Sequence, residues 1–158
     1  MEIQILCVGK LKEKYLINGI KEYSKRLSKY TRVVITEVPD VMAPENLSEA
    51  DQEKVKDQEA SKLRKHIKDS YVVALALEGK MYDSVGFAKE IEKIQTYHNS
   101  RITFLIGGSL GLSKSLLKEA NLLLSFSKMT FPHQLMRLIL LEQIYRSFRI
   151  LNNEPYHK

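Results

Sequence analysis

The sequence predicts an α/β fold, with a mainly parallel sheet and helices on both of its faces. Three observations predict it. Short apolar runs alternate along the chain with stretches of helical periodicity. Runs such as "YVVALAL" (71–77) and "ITFLI" (102–106) are continuous rather than alternating, as strands buried on both faces must be. Gly9, Pro39, Gly79 and Gly107 stand at or just beyond the ends of these runs, the punctuation expected of successive βαβ units. The 158 residues are read as one domain, 1–158, long enough to close a core without disulfide or metal.

Each element has its own signal. "IQILCV" (3–8) is the first strand, closed by Gly9. Leu16, Ile20, Tyr23, Leu27 and Tyr30 then recur at spacings of four and three, one face of a helix. "RVVITEV" (32–38) is the second strand, and a loop with Pro39 and Pro44 follows over 39–47. Ser48 with Asp51 three residues later has the form of a capping box, opening a long charged helix to about Lys68. After the third strand at 71–77, Glu78-Gly79-Lys80 is read as a turn and Ser84 as the cap of a helix carrying Phe87, Ile91 and Ile94. "ITFLI" is the fourth strand, with Ser113 capping a short helix to Glu119. "NLLLSF" (121–126) is the fifth strand, and the last helix runs from about His133 to Leu151 after a loop broken at Pro132.

Composition narrows the partners. No apolar run approaches the ~20 residues needed to span a bilayer, and the N-terminus lacks the pattern of a signal peptide. Cys7 is alone, which excludes an internal disulfide and suits a reducing compartment. A cytoplasmic protein, without membrane or metal, is expected. The net charge of +6 is uneven. Residues 10 to 32 hold eight Lys/Arg against two acids, and residues 126 to 158 hold five against two. Such a balance suits a polyanionic partner, and equally a well-solvated basic surface.

The motif that carries chemistry is "ITFLIGGSLGLSK". Gly107-x-Ser109-x-Gly111 has the G-x-S-x-G form of a serine hydrolase elbow. The chain is short for that fold, and its acids and histidines (Glu119, Glu142, His133, His157) make a poor triad. The alternative is a backbone-lined turn, with Gly107 and Gly108 free of side chains so that a nucleoside can approach closely. In a parallel sheet, ligands sit beyond the carboxyl ends of the strands. The loops after Leu77, Ile106 and Phe126 are therefore the candidate pocket.

Further along, His133, Arg137 and Tyr145 fall at spacings of four and eight and share a helical face. Arg146 and Arg149 add charge, and the tail ends in Tyr156, His157 and Lys158. Rings beside cations suit RNA. Tyr145 and Phe148 read also as core, and His133 as a helix cap.

The segments "VGKLKEKY", "LEGK", "FLIGGSLGLS", "LSFSKMTFPHQLMR", "EQIYRSFRI" and "PYHK" together resemble the ribosomal RNA large subunit methyltransferase H family, of the knotted SPOUT class. The resemblance spans essentially the whole chain. It implies a cytoplasmic homodimer with a C-terminal trefoil knot that uses S-adenosyl-L-methionine. The implied reaction is methylation of N3 of a pseudouridine in large-subunit (23S) ribosomal RNA, on assembled ribosomes. It implies cofactor contacts at Leu75, Gly107, Phe126, Ser127, Lys128, Met129, Thr130 and Phe131. Two positions depart from the pattern: Ala76 stands where an acid is expected, and Leu110 where a polar residue is common. For the chemistry, Arg137 with Arg146 is expected to steady charge on the uracil carbonyls, and His133 or His157 to accept the proton. Arg137, Tyr145, Arg146, Tyr156 and His157 are the expected RNA contacts, and in a dimer the tail is expected to reach the partner subunit's pocket. A non-catalytic ribosome-binding protein remains the alternative.

Overall fold

The structure is a computed structural model that describes residues 1–158. Five strands, β1 (Glu2–Val8), β2 (Arg32–Val38), β3 (Tyr71–Met81), β4 (Arg101–Ile106) and β5 (Leu122–Ser125), form one sheet in the order β2-β1-β4-β3-β5. Every pairing is parallel. The helices are α1 (Lys14–Leu27), α2 (Glu49–Arg64), α3 (Ser84–Tyr97), α4 (Lys114–Glu119) and α5 (His133–Leu151).

The side-chain alternation of β1 shows why its sequence is apolar throughout. Ile3, Ile5 and Cys7 enter a core shared with residues of α1, α3 and α5, including Ile20, Phe87, Ile91 and Leu140. Leu6 and Val8 point the other way, into a core with Ala60 and Leu63 of α2 and Leu116 of α4. Helices cover both faces, so odd and even positions are both desolvated. Two polar residues between the strands satisfy each other: Thr103 Oγ1 donates to Gln4 Oε1 at 2.9 Å, and Gln4 Nε2 donates to the His66 carbonyl at 3.2 Å. Burial pushes the Cys7 thiol up to about 11, with the nearby Arg137 charge working against it, so it stays a protonated core group.

Two expectations need correction. The chain does not turn at Glu78-Gly79-Lys80. It leaves the ladder after Leu75 and rejoins at Lys80, and both of those residues oppose Leu124 of β5. Ala76–Gly79 is thus a wide bulge within β3. Gly79 belongs there because a Cβ would stand 2.7 Å from the backbone of Leu123 and Leu124. Nor does Ser84 cap α3. Asp83 does, accepting the Gly86 N–H at 2.7 Å, while Ser84 Oγ donates to Gln143 at 2.8 Å. Asp83 is the extended residue before the first turn, from which a side-chain oxygen reaches a free N–H, whereas Ser84 already lies within the helix.

Ser48 and Ser113 do cap α2 and α4, accepting from the N–H groups of Asp51 and Leu116, each at 3.1 Å. Helices α1 and α2 stop at Leu27 and Arg64, a few residues short of their periodic patterns. No helix is long and apolar enough to cross a membrane.

Candidate active site

Strand order brings the site together. Because β4, β3 and β5 are adjacent and parallel, the segments leaving their carboxyl ends lie side by side. They enclose a cavity of about 780 Å³, within the range of small-molecule sites. Leu75, Gly107, Phe126, Ser127, Met129, Thr130 and Phe131 line it, whereas Lys128 does not. The bulge 76–79 contributes Ala76, Leu77 and Glu78. Glu78 is the one carboxylate lining the cavity, two residues beyond the alanine that departs from the family pattern. Lys56 of α2, Lys114 and Leu117 of α4 and Met136 of α5 complete the wall. Nothing in the sequence flags Lys56, since only the packing of α2 on the sheet carries it there.

The glycine turn corrects the reason given for its glycines. A Cβ on Gly107 would stand 2.5 Å from the carbonyl carbon of Gly111, so this position is bare because the turn closes on itself. The Gly111 N–H donates to the Gly108 carbonyl at 3.0 Å. A Cβ on Gly108 would meet Val8 at 3.1 Å and the Glu59 carboxylate at 3.6 Å, which is crowding from β1 and α2. Gly111 has φ +87°, a conformation that glycine adopts without strain. Internal packing therefore demands these glycines, and an exposed backbone edge toward the cavity is the consequence. Ser109 is exposed on the rim and makes no hydrogen bond to a histidine. Its φ is not positive. The hydrolase triad is not assembled.

The third segment is held by its own serines. Ser125 Oγ donates to the Ser127 carbonyl at 3.1 Å, and Ser127 Oγ accepts the Met129 N–H at 2.9 Å. Leu77, Met129 and Phe131 form an exposed apolar rim, with Met129 73% exposed.

The cations and rings divide differently from expectation. His133 lines the cavity, and burial first, then the Arg137 charge, pull its titration below the usual histidine value. The ring is therefore neutral at pH 7 and able to accept a proton. Arg137 does not face the cavity. Its guanidinium is 1% exposed, 2.6 Å from Glu37 Oε2, and donates to the carbonyls of Val8 at 3.0 Å and Gly9 at 2.7 Å. Tyr145 is likewise buried, packed at tilted and edge-on angles among Tyr23, Tyr30 and Tyr156. Helical spacing had grouped these residues correctly, but their shared face is the inward one. As surface RNA contacts, Arg137 and Tyr145 are excluded by burial in this conformation.

The tail is ordered against α1 and α5. The Tyr156 ring meets Tyr145 edge-on at 4.9 Å, its hydroxyl lies 3.4 Å from that of Tyr23, and Arg146 covers its other side at 4.7 Å. Arg146 pairs with Glu142 at 2.6 Å and reaches His157 Nδ1 at 3.1 Å. Arg149 anchors Glu154 at 2.8 Å and the Pro155 carbonyl at 2.8 Å. His133 and Arg146 are thirteen residues apart on one helix, about 20 Å at 1.5 Å per residue. His157 therefore stands far from its own chain's cavity.

A cavity at these strand ends would suit many α/β enzymes, but whole-chain comparisons specify one class. Residues 1–157 match the family described as "Predicted SPOUT methyltransferase". A protein of Listeria monocytogenes, named Ribosomal RNA large subunit methyltransferase H, is 57% identical over 159 aligned residues, covering 100% of both chains. One of the same name from Shouchella clausii is 59% identical with the same coverage. Among solved structures, a putative methylase family protein of Neisseria gonorrhoeae matches with TM-score 0.53 and 12% identity, over 99% of this chain and 85% of that one. A probable methylase family protein of Haemophilus influenzae matches with TM-score 0.52 and 15% identity, over 99% and 70%. At such identities these two speak for the fold alone. The chain belongs to the SPOUT methyltransferase family.

Proposed function

We propose that the protein binds S-adenosyl-L-methionine in this cavity and methylates N3 of a pseudouridine in large-subunit ribosomal RNA, in the cytoplasm and on assembled ribosomes. The observation that carries the reading is the convergence of the β3 bulge, the glycine turn and the 126–131 segment on one cavity of about 780 Å³. Full-length relatives at 57 and 59% identity bear the corresponding name.

The residues present fit the cofactor. Half of the 24 lining residues are apolar, and the three segments offer backbone edges to an adenosine. Leu75, Gly107 and the 126–131 segment would hold it, with Lys56, Lys114 and Glu78 as the charged groups available to its amino-acid end. Bound there, the cofactor supplies an electrophilic methyl group on a sulfonium. The chain must align N3 with that methyl and accept the N3 proton. His133 is the base this chain presents at the cavity, neutral at working pH. Arg137 acts through position, holding the first turns of α5 against the end of β1.

The site is completed in a homodimer. About 20 Å along α5 separates the tail from its own cavity, so Arg146, Tyr156 and His157 serve the partner's. The trefoil knot that the family implies would fasten the C-terminal loop in its place.

The test is incubation of the protein and labelled S-adenosyl-L-methionine with ribosomes from cells lacking the activity, followed by mass spectrometry of the large-subunit RNA. One pseudouridine fragment heavier by a methyl group is expected. Unlabelled RNA would overturn the reading.

A further inference from the structure

Between β1 and α1 the chain runs Gly9-Lys10-Leu11-Lys12-Glu13-Lys14-Tyr15. This short loop is fastened from beneath on every side. Gly9 N–H donates to the Val38 carbonyl at 2.8 Å, and Leu11 N–H to Glu37 Oε2 at 2.7 Å. The Val8 and Gly9 carbonyls accept from Arg137, and the Lys10 carbonyl accepts from Gln134 Nε2 at 3.3 Å. Only Leu11 among the side chains from 10 to 15 turns partly inward; Lys10, Lys12, Lys14 and Tyr15 are exposed, Tyr15 at 66%.

The three ammonium groups take part in no ion pair. Lys14 is also the first residue of α1, at the positive end of its dipole, where the first turn holds no acid and the N-cap Glu13 makes no capping bond. A cation there works against the helix. A locally unfavourable arrangement on a rigid support is what a binding surface looks like. The support also adjoins the cavity. A Cβ on Gly9 would lie 3.8 Å from Nε2 of His133, the ring that lines it.

We infer that Lys10, Lys12 and Lys14 form the dock for the phosphate backbone of the RNA beside the cavity, with Tyr15 as a stacking surface for an unpaired base. The inference rests on the RNA methyltransferase reading above and names the part of the protein that holds its substrate. Ammonium groups meet phosphates as point charges and release counterions on contact, and an aromatic face takes a base of any sequence. The half-buried Arg137–Glu37 pair has a role in this: it fixes the loop backbone, so the points from which the lysines project are set before the RNA arrives.

The experiment compares the full-length protein with a Lys10→Gln/Lys12→Gln/Lys14→Gln variant on the same unmodified ribosomes. The expected result is a KM for ribosomes raised about tenfold or more, with kcat and the Kd for S-adenosyl-L-methionine unchanged. The slope of log KM against log salt should become shallower by about two to three, one phosphate contact per lysine. A control variant, Lys65→Gln/Lys68→Gln/Lys118→Gln, removes the same charge elsewhere and should leave KM and slope near the starting values. Tyr15→Ala should raise KM without altering the slope. The inference is overturned if the first variant keeps its KM, if the control loses as much, or if the first variant loses cofactor affinity or its dimer. Absence of methyl transfer by the unaltered protein would instead overturn the functional reading beneath it.

Discussion

Nη1 of Arg137 lies 2.6 Å from Oε2 of Glu37, a pair one hundred residues apart in sequence that joins α5 to β2. The same carboxylate oxygen accepts the Leu11 N–H at 2.7 Å, so one ion pair ties the last helix, the edge strand and the first loop together. The guanidinium is 1% exposed and the carboxylate 34%. Removing one partner of a fully buried pair costs ~3–5 kcal/mol, and the partial exposure of Glu37 lowers that.

Glu37→Gln should therefore lower unfolding stability by about 2 kcal/mol, read from urea unfolding. Arg137→Met should cost as much, since it leaves the Val8 and Gly9 carbonyls unpaired. If Arg137→Met abolished methyl transfer while leaving the unfolding midpoint in place, the guanidinium would act on substrate rather than on the fold.

The glycine turn separates backbone from nucleophile. Gly107→Ala puts a methyl 2.5 Å from the Gly111 carbonyl carbon, and overpacking of that kind costs ~1–3 kcal/mol. Affinity for S-adenosyl-L-methionine should fall about tenfold to a hundredfold by calorimetry. Ser109→Ala removes an exposed hydroxyl and should change activity less than about twofold. Inactivity of the alanine variant would restore the serine to the mechanism.

For His133 the sign follows from burial. The folded protein holds this ring below its ordinary value of about 6.5, through burial first and the Arg137 charge second, with Asp40 pulling upward. The unfolded chain binds the proton more readily, so the histidine costs no stability well above pH 6.5 and an increasing amount as pH falls below it. Proton acceptance by His133 would give the rate profile an acid limb below about pH 6.5. An NMR titration of the ring should follow that limb, and Asp40→Asn should move both further down. Movement upward would contradict the assignment.

Crossed tails can be tested by complementation. A subunit lacking residues 153–158 and a Gly107→Val subunit, whose larger side chain blocks the turn outright, should each be inactive alone. Mixed, they should recover part of the activity, because one mixed site in each heterodimer pairs an intact cavity with an intact tail. No recovery would mean that each tail serves its own chain after moving from its position against Tyr23 and Tyr145.

Much of this was written along the chain. Strand-like runs apolar at both odd and even positions meant a sheet covered on two faces, and Ser48 and Ser113 marked helix starts by local chemistry. The three strand-end loops were legible for the same reason: a parallel sheet puts its open backbone at the carboxyl ends. Gly79 is ambiguous along the chain because a bulge and a turn need the same residue, and only the pairing of Leu75 and Lys80 with Leu124 distinguishes them.

What the amino-acid order alone determined was periodicity: which residues are strand, which helix, and which share a face. Tertiary packing decided which way each face looks. His133, Arg137 and Tyr145 lie in one helical register whether α5 presents that side to solvent or to β1 and α1, because register is a property of one helix and orientation requires a second. Charge at Arg137 thus became support for a loop, and Lys56 reached the cavity from α2 through contacts that no local pattern encodes.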